Sequence, residues 1–279
     1  MSLTDDYFSF YSSLLEYSPI SVFSLFLLGL ARLMPVVVFA PFFGAKVTSP
    51  VKMGLTIAMT VVFLPYSIIH SQTLVHFDPT YLVLLAKEFF IGAILAIFVS
   101  WPFFMAESAG ILIDFQRGAS SLQVSDPSTQ SQSSSLGIFY NYIMIIIFYS
   151  LNGPFLFYEA FLSSYEIIPA DAWLNMSFFA FKHPVWVVVW GLIAKLFALA
   201  IQLAAPSLLA ILMTELFLGI ANRLAPQVQI VFLGMSLKSL AGLALLCISW
   251  FFIMQQMGKQ TLLWLDQLNQ VLPSMKPPT

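Results

Sequence analysis

The chain has 279 residues, of which 59% are hydrophobic, 16% aromatic and only 9% charged, with a formal net charge of −2. A water-soluble domain carries roughly 25% charged residues, so a chain this poor in charge cannot cover its own surface against water and falls in the membrane class. The balance also lacks the basic excess of a nucleic-acid-binding protein, and no nucleic-acid partner is expected.

Taken in chain order, the N-terminal stretch MSLTDDYFSFYSSLLEYSP (1–19) is acidic and has no basic region ahead of an apolar run. It is expected to be a tail and not a cleaved signal peptide, with the mature chain starting near Met1. Apolar runs of spanning length follow, a crossing helix needing about 20 residues at about 1.5 Å each. They are Ile20–Ala40, Val51–Ile69, Tyr81–Met105, Ile138–Leu162, Pro184–Met213 and Val228–Met257. The fifth is long enough to bend, and Pro206 near its end supplies a reason. Proline and glycine punctuation falls at Pro41 to Pro50, Asp78-Pro79, Asn152-Gly153-Pro154 and Ala225-Pro226. Cys247, in the apolar run LLCISW, is the only cysteine, so it reads as a small core or lipid-facing side chain. No internal repeat stands out and no segment has the composition of a separate soluble domain. The expected fold class is all-α: one membrane-type hydrophobic helical bundle over 1–279, with short tails at 1–19 and 258–279.

Orientation is only half determined. Lys46 and Lys52 place the first loop on the cytoplasmic side by the positive-inside rule, and the next loop, with His70, His76 and Asp78, has no Lys or Arg. Strict alternation then puts Arg117 inside but sends Lys259 and Lys276 outside. Either a span is miscounted or this is not an ordinary multispanning protein.

Charges lie within or at the ends of the apolar runs: Arg32, Lys52, Lys87, Glu88, Glu107, Asp114, Glu159, Lys195, Glu215, Arg223 and Lys238. Each costs at least about 2.5–3.5 kcal/mol at a bilayer centre, so several helices are expected to pack on partner subunits or line a wet cavity. Lys195, Ala198, Gln202 and Ala205 make one small, polar stripe at helical spacing, and Gly234, Lys238 and Gly242 make another. Such stripes serve close helix contacts, within one bundle or between subunits.

Catalytic chemistry finds no constellation. Glu107 and Asp114 share a helical face, but no third group converges on them, and Asp114 with Arg117 makes an i,i+3 pair. His70, His76 and His183 lack metal-ligand spacing, and neither a phosphate loop nor a Gly-x-Ser-x-Gly elbow occurs. No enzyme activity, cofactor or metal is expected.

Four stretches carry a family resemblance. ARLMPVVVFAPFFGAKVTSPVKMGLTIA (31–58) has an Arg, then Pro-x-x-Gly, then Lys52 opening the next helix, and KEFFIGAILA (87–96) has Glu-x-x-Ile-Gly. AGILIDFQRGAS with SDPSTQSQSSSLG (109–120 and 125–137) forms a central block. APSLLAILMTELFLGIANRLAPQVQIVFLGMSLKSLAG (205–242) is the longest and most specific, with its Asn-Arg-x-Ala-Pro-Gln core. Together they resemble the SctT/FliR family, export-gate proteins of type III secretion systems, and the Ile-Asp-x-Gln-Arg-Gly form (113–118) resembles the virulence-type SctT branch.

The resemblance implies a non-enzymatic inner-membrane subunit of the export apparatus, an SctR-like part joined to an SctS-like part. Such a subunit joins SctR-like and SctS-like proteins in a cone-shaped gate of tilted helices and hairpins, raised toward the periplasm. SctU-like and SctV-like components are implied as further neighbours, and unfolded secreted proteins as cargo. The rival reading is a subunit of a solute transporter or ion channel, which leads one to expect paired half-repeats with interrupted helices. The resemblance also implies that the serine-rich stretch 118–137 plugs the closed channel through Gly118, Ser120, Leu122, Val124, Ser125, Asp126, Pro127 and Gly137. That stretch has eight serines and no Lys or Arg, and hydroxyls and amides can bond to water or neighbours in either state of a gate. Gly118 and Gly137 are expected to permit sharp turns and Asp126-Pro127 to stiffen the tip. Arg32, Lys52, Glu88, Asp114, Arg117, Lys195, Glu215 and Lys238 read as subunit packing or buried charge. Asn222, Arg223, Pro226 and Gln227 are implied to form the turn of a C-terminal hairpin, either a plain cap or a contact with SctS-like or cytoplasmic components.

Overall fold

In the computed structural model, residues 18–44, 47–71, 77–118, 134–173, 184–224 and 230–274 are described. Among them the regular structure is helical throughout, as expected for an all-α chain: α1 (Pro19–Phe39), a short 3-10 turn (Pro41–Phe43), α2 (Ser49–His70), α3 (Pro79–Gln116), α4 (Ser135–Ser150), α5 (Gly153–Ile167), α6 (Pro184–Leu224) and α7 (Ile230–Ser274).

The ends follow local chemistry. Ser18 caps α1 by accepting from the Ser21 amide at 3.3 Å, with Pro19 in the first turn, and the chain leaves α1 at Ala40 before Pro41. Pro50 occupies the first turn of α2, and the Ser71 amide closes its last turn onto Ser67 and Ile68. Gly118 ends α3 at φ +81°, a left-handed position that suits glycine.

Five helices are long and apolar enough to cross a membrane: α1, α2, α3, α6 over Trp186–Leu224 and α7 over Gly234–Trp264. The expected fourth span, Ile138–Leu162, is instead two short helices, α4 and α5, bent by 75°. The break is local: Asn152 takes the left-handed conformation at φ 56°, and Pro154 in the first turn of α5 has no amide to continue α4. If the bent pair is not a crossing, the five that remain put both Lys259 and Lys276 on the side of Lys52, which removes the earlier faults in the alternation, while Arg223 goes to the opposite side. The other long helices outrun their apolar windows. α3 continues from Met105 to Gln116, α6 passes through Pro206 to Leu224, and α7 runs on to Ser274 through most of the expected tail.

The chain divides into two compact units, Met1–Ser100 with Asn152–Trp190 and Leu265–Thr279, and Trp101–Leu151 with Gly191–Trp264. In the first, α1 and α2 form a hairpin with Gly29 against Thr60, where an added Cβ meets Thr60 Cγ2 at 3.0 Å. α3 crosses α1 more closely still: a Cβ on Gly92 falls 2.1 Å from the Arg32 carbonyl oxygen, so only glycine fits. α5 closes this layer with Phe157 and Phe161, edge-on to Phe42 and tilted against Phe63.

In the second unit α3 and α4 touch backbone to backbone. A Cβ on Gly110 falls 2.5 Å from Leu136 and Gly137. The Trp101 indole donates to the Leu192 carbonyl at 2.7 Å, Phe103 meets Phe148 edge-on, and Trp250 packs on Phe139 and Tyr140. Gly234 and Gly242 of α7 receive Leu218 and Ile211 of α6, so the Gly234–Lys238–Gly242 stripe is packing within the chain. The other stripe lies open, with Lys195, Ala198 and Gln202 exposed and Ala205 half-buried. Large apolar side chains such as Val62, Phe155, Leu224, Ile248 and Phe251 are also exposed, a surface made for lipid or for other apolar helices.

Candidate functional site: the frame of the polar loop

Three of the polar constellations among the described residues contain residues singled out in the sequence. The most informative sits where α3 ends and α4 begins. Asp114, in the last turn of α3, is 2% exposed and its two carboxylate oxygens serve different partners. Oδ1 accepts from Arg117 Nε at 2.8 Å and Nη2 at 2.6 Å. Oδ2 accepts from Ser134 Oγ at 2.6 Å and from the Leu136 amide at 2.9 Å. Ser134 in turn caps α4, its Oγ accepting from the Gly137 amide at 2.9 Å. A negative charge at the start of α4 also suits the positive end of that helix. One buried carboxylate therefore ties together the two ends of the polar loop, Arg117-Gly118 and Ser134–Leu136. Hydrogen bonds to a charged acceptor each contribute about 1.5–3 kcal/mol, enough to make the two ends one rigid base.

Glu107 lies seven residues earlier on the same face, as its spacing requires, and accepts from Asn141 Nδ2 at 2.9 Å. Glu107 and Asp114, the two acids in the C-terminal part of α3, thus both hold α4. Arg117 also reaches Ser239 of α7 at 3.5 Å. Gly118 makes the expected turn. Gly137 does not: it lies within α4, where its missing side chain admits α3, since an added Cβ meets Ile111 and Ser134 at 3.0 Å. Ser120, Leu122, Val124, Ser125, Asp126 and Pro127 lie outside the described residues.

The second constellation is a buried charge cluster in the other unit. Arg32 of α1 and Glu88 of α3 are both 0% exposed and form a two-pronged pair, Nε to Oε2 and Nη2 to Oε1 at 2.8 Å. Arg32 also donates to Ser164 Oγ at 3.0 Å and to the Ile168 carbonyl at 2.8 Å, with its guanidinium 4.0 Å over the Tyr165 ring. Lys87 adds a bond to Glu88 at 2.8 Å and donates to the carbonyls of Pro169, Ala170 and Ala172 at 2.8–3.0 Å. Two cations thus hold the backbone just past the end of α5, where carbonyls need donors. Of the two alternatives, subunit packing or buried charge, Arg32, Lys87, Glu88 and Asp114 follow the second in this chain: each is buried and paired with groups of the chain itself.

The third lies near the end of the α6–α7 hairpin. Lys238 pairs with Glu215 at 2.5 Å beside a cleft of about 420 Å³ that includes Gly219, Asn222 and Gly234. Asn222 and Arg223 are exposed in the last turn of α6, and Pro226 and Gln227 lie outside the described residues. Lys52, half-buried, donates to the Val38 carbonyl at 3.2 Å. The first and third constellations lie in one unit and the second in the other. Among the described residues no group of His, Cys, Asp or Glu could hold a metal ion.

Sequence reasoning missed Ser134, Asn141, Ser164 and Tyr165, all uncharged groups that serve as partners. Only Ser134 carried a signal, as a cap residue directly ahead of an apolar run.

Comparison with known proteins gives one consistent picture. The family described as bacterial export proteins, family 1, matches residues 23–263. The Yop proteins translocation protein T of Yersinia pestis is 29% identical over 250 residues, covering 88% of this chain and 94% of its own length. The surface presentation of antigens protein SpaR of Shigella flexneri is 28% identical over 238 residues, covering 83% of this chain and 88% of its own. The flagellar biosynthetic protein FliR of Bacillus subtilis (strain 168) is 29% identical over 244 residues, covering 85% and 90%.

Proposed function

We infer function from one premise: the chain belongs to the bacterial export proteins, family 1, the SctT/FliR family, and lies on its virulence-type side. It is an export-apparatus protein of a type III secretion system. The observation that carries this is the family match across residues 23–263, which takes in every helix described here except the ends of α1 and α7. The transporter reading has no support from these relatives, and α4–α5 is a single broken pair with no counterpart among the described residues.

Several finer statements are our own reading. The chain works as one unit of a gate together with SctR-like and SctS-like subunits, in the inner membrane and raised from it toward the periplasm. SctU-like and SctV-like components lie beside it, and unfolded proteins pass through it without catalysis by this chain. Exposed apolar side chains along α2, α6 and α7 support a setting among lipid and other helices. Gly118–Gly137 is the plug, and Asp114 is its fixed base. A base that holds both ends lets the loop be displaced by a passing chain and return to the same place. The Asn222–Gln227 turn is a contact for neighbouring export components.

Two experiments test this. Removing the chain from its host should abolish secretion of the system's substrates, and unchanged secretion would sink the export reading. For the plug, residues 120–132 should be deleted and Ser134 spared, because a deletion through Ser135 also destroys the Asp114 frame. The assembly should remain intact and leak small ions; an intact assembly with unchanged permeability removes the plug assignment.

A further inference from the structure

Five cations on the described helices are answered within the chain, with a pattern to the answers. Arg32 meets Glu88 and Lys238 meets Glu215, each from a neighbouring helix, while Arg117 meets Asp114 on its own. Lys87 has Glu88 and three carbonyls, and Lys52 has the Val38 carbonyl. Arg223 stands in the last turn of α6, and Lys259 lies among Gln255, Gln256 and Gln260, where α7 has turned polar.

Lys195 is different. It is exposed on α6 with no ion pair or hydrogen bond to any described residue. It is followed by apolar side chains that are themselves open, Phe197 at 64% and Ile201 at 55%, and preceded by the charge-free run Trp186–Ala194. A lipid-facing lysine is tolerated near a membrane surface, where it reaches the headgroups. Here the residues that could mark such a level, Trp186 and Trp190, come at least a turn earlier, and three valines lie between them. Beside Lys195, one and two turns on, are Ala198 and Gln202, with Ala205 at the edge, giving a smooth strip with one further hydrogen-bonding group.

We propose that this strip of α6, centred on Lys195, is the docking face for an apolar helix of another export-apparatus subunit, one that carries an Asp or Glu at the depth of Lys195. Charge complementarity selects this occupant. A lipid chain offers Lys195 nothing, whereas a carboxylate on a packed helix is the answer the chain itself uses for Arg32 and Lys238. Small side chains at 198 and 205 let the two backbones approach, and Gln202 faces a polar group on the same partner. The inference rests on the export-apparatus reading above, which supplies the existence of such subunits.

The test is recovery of partner subunits with the tagged full-length chain from membranes of its own host, for the natural chain and for Lys195→Arg, Lys195→Met and Lys195→Glu. Because Lys195 is exposed in the chain alone, all three variants should fold, which thermal unfolding of the isolated chain checks. Lys195→Arg should recover partners within about three-fold of the natural chain. Lys195→Met should recover fewer, and Lys195→Glu, which sets two carboxylates face to face, should lose at least about ten-fold. A lysine that reaches lipid headgroups predicts the opposite, undiminished recovery by Lys195→Met and Lys195→Glu, and that result overturns the docking face while leaving the functional reading intact. If the natural chain itself recovers no partner, the functional reading fails and takes this inference with it.

Discussion

Replacing Asp114 by alanine should be the most damaging single change in the loop frame, and the damage should depend on Arg117. The carboxylate is 2% exposed and accepts from Arg117, Ser134 and the Leu136 amide. Its removal leaves the guanidinium, whose side chain is only 14% exposed, with Ser239 at 3.5 Å. Breaking a buried pair from one side costs about 3–5 kcal/mol; the partial exposure of Arg117 puts this case near the lower end. At about 2–4 °C per kcal/mol for a chain of this size, the unfolding midpoint should fall by about 6–12 °C. Arg117→Ala should cost less, and adding it to Asp114→Ala should cost little more, giving a coupling of at least about 1.5 kcal/mol between the two sites. The assay is thermal unfolding of the purified full-length protein in one detergent, followed by circular dichroism for the natural chain, both single variants and the double. A coupling within about 0.5 kcal/mol of zero, the limit of additivity for independent sites, would refute the shared frame.

Glu88→Gln leaves two buried cations, Arg32 and Lys87, facing one neutral amide; it should destabilise by about 3–5 kcal/mol in the same unfolding assay. Gly92→Ala should reduce folded yield, because its Cβ falls 2.1 Å from the Arg32 carbonyl and the α1–α3 crossing must open; a cost of about 1–3 kcal/mol is the usual range for overpacking. Ser134→Ala removes the α4 cap and one Asp114 donor, for about 1 kcal/mol read as a lower unfolding midpoint. Glu215→Gln should change stability by less than about 1 kcal/mol, since that pair is partly open to solvent.

Much of the fold was legible because spanning helices are written in composition. Long apolar runs located α1, α2, α3, α6 and α7, and Pro and Gly marked most of the breaks. What hydropathy could not give was depth and direction. It averaged across Asn152-Gly153-Pro154 and drew one span where the chain turns by 75°. It stopped α3 at Met105, because Glu107 and Asp114 look expensive until Asn141, Ser134 and the Leu136 amide are seen to receive them. The charged residues were legible as a problem, but their partners were not. Arg32 and Glu88 are 56 positions apart, and Arg32 to Ile168 spans 136, separations at which no local pattern connects them. The two small-residue stripes looked alike in sequence; one turned out to be packed against α6 and the other open. Only tertiary placement distinguishes Gly234, which receives Leu218, from Ala198, which is exposed.

The most direct test of the assignment is what the natural chain carries with it when drawn gently from the membrane of its own bacterium. Membership in the SctT/FliR family predicts a defined complex containing SctR-like and SctS-like proteins, with no solute transport by the purified chain alone. A chain that comes out by itself and moves a solute across reconstituted vesicles would contradict it.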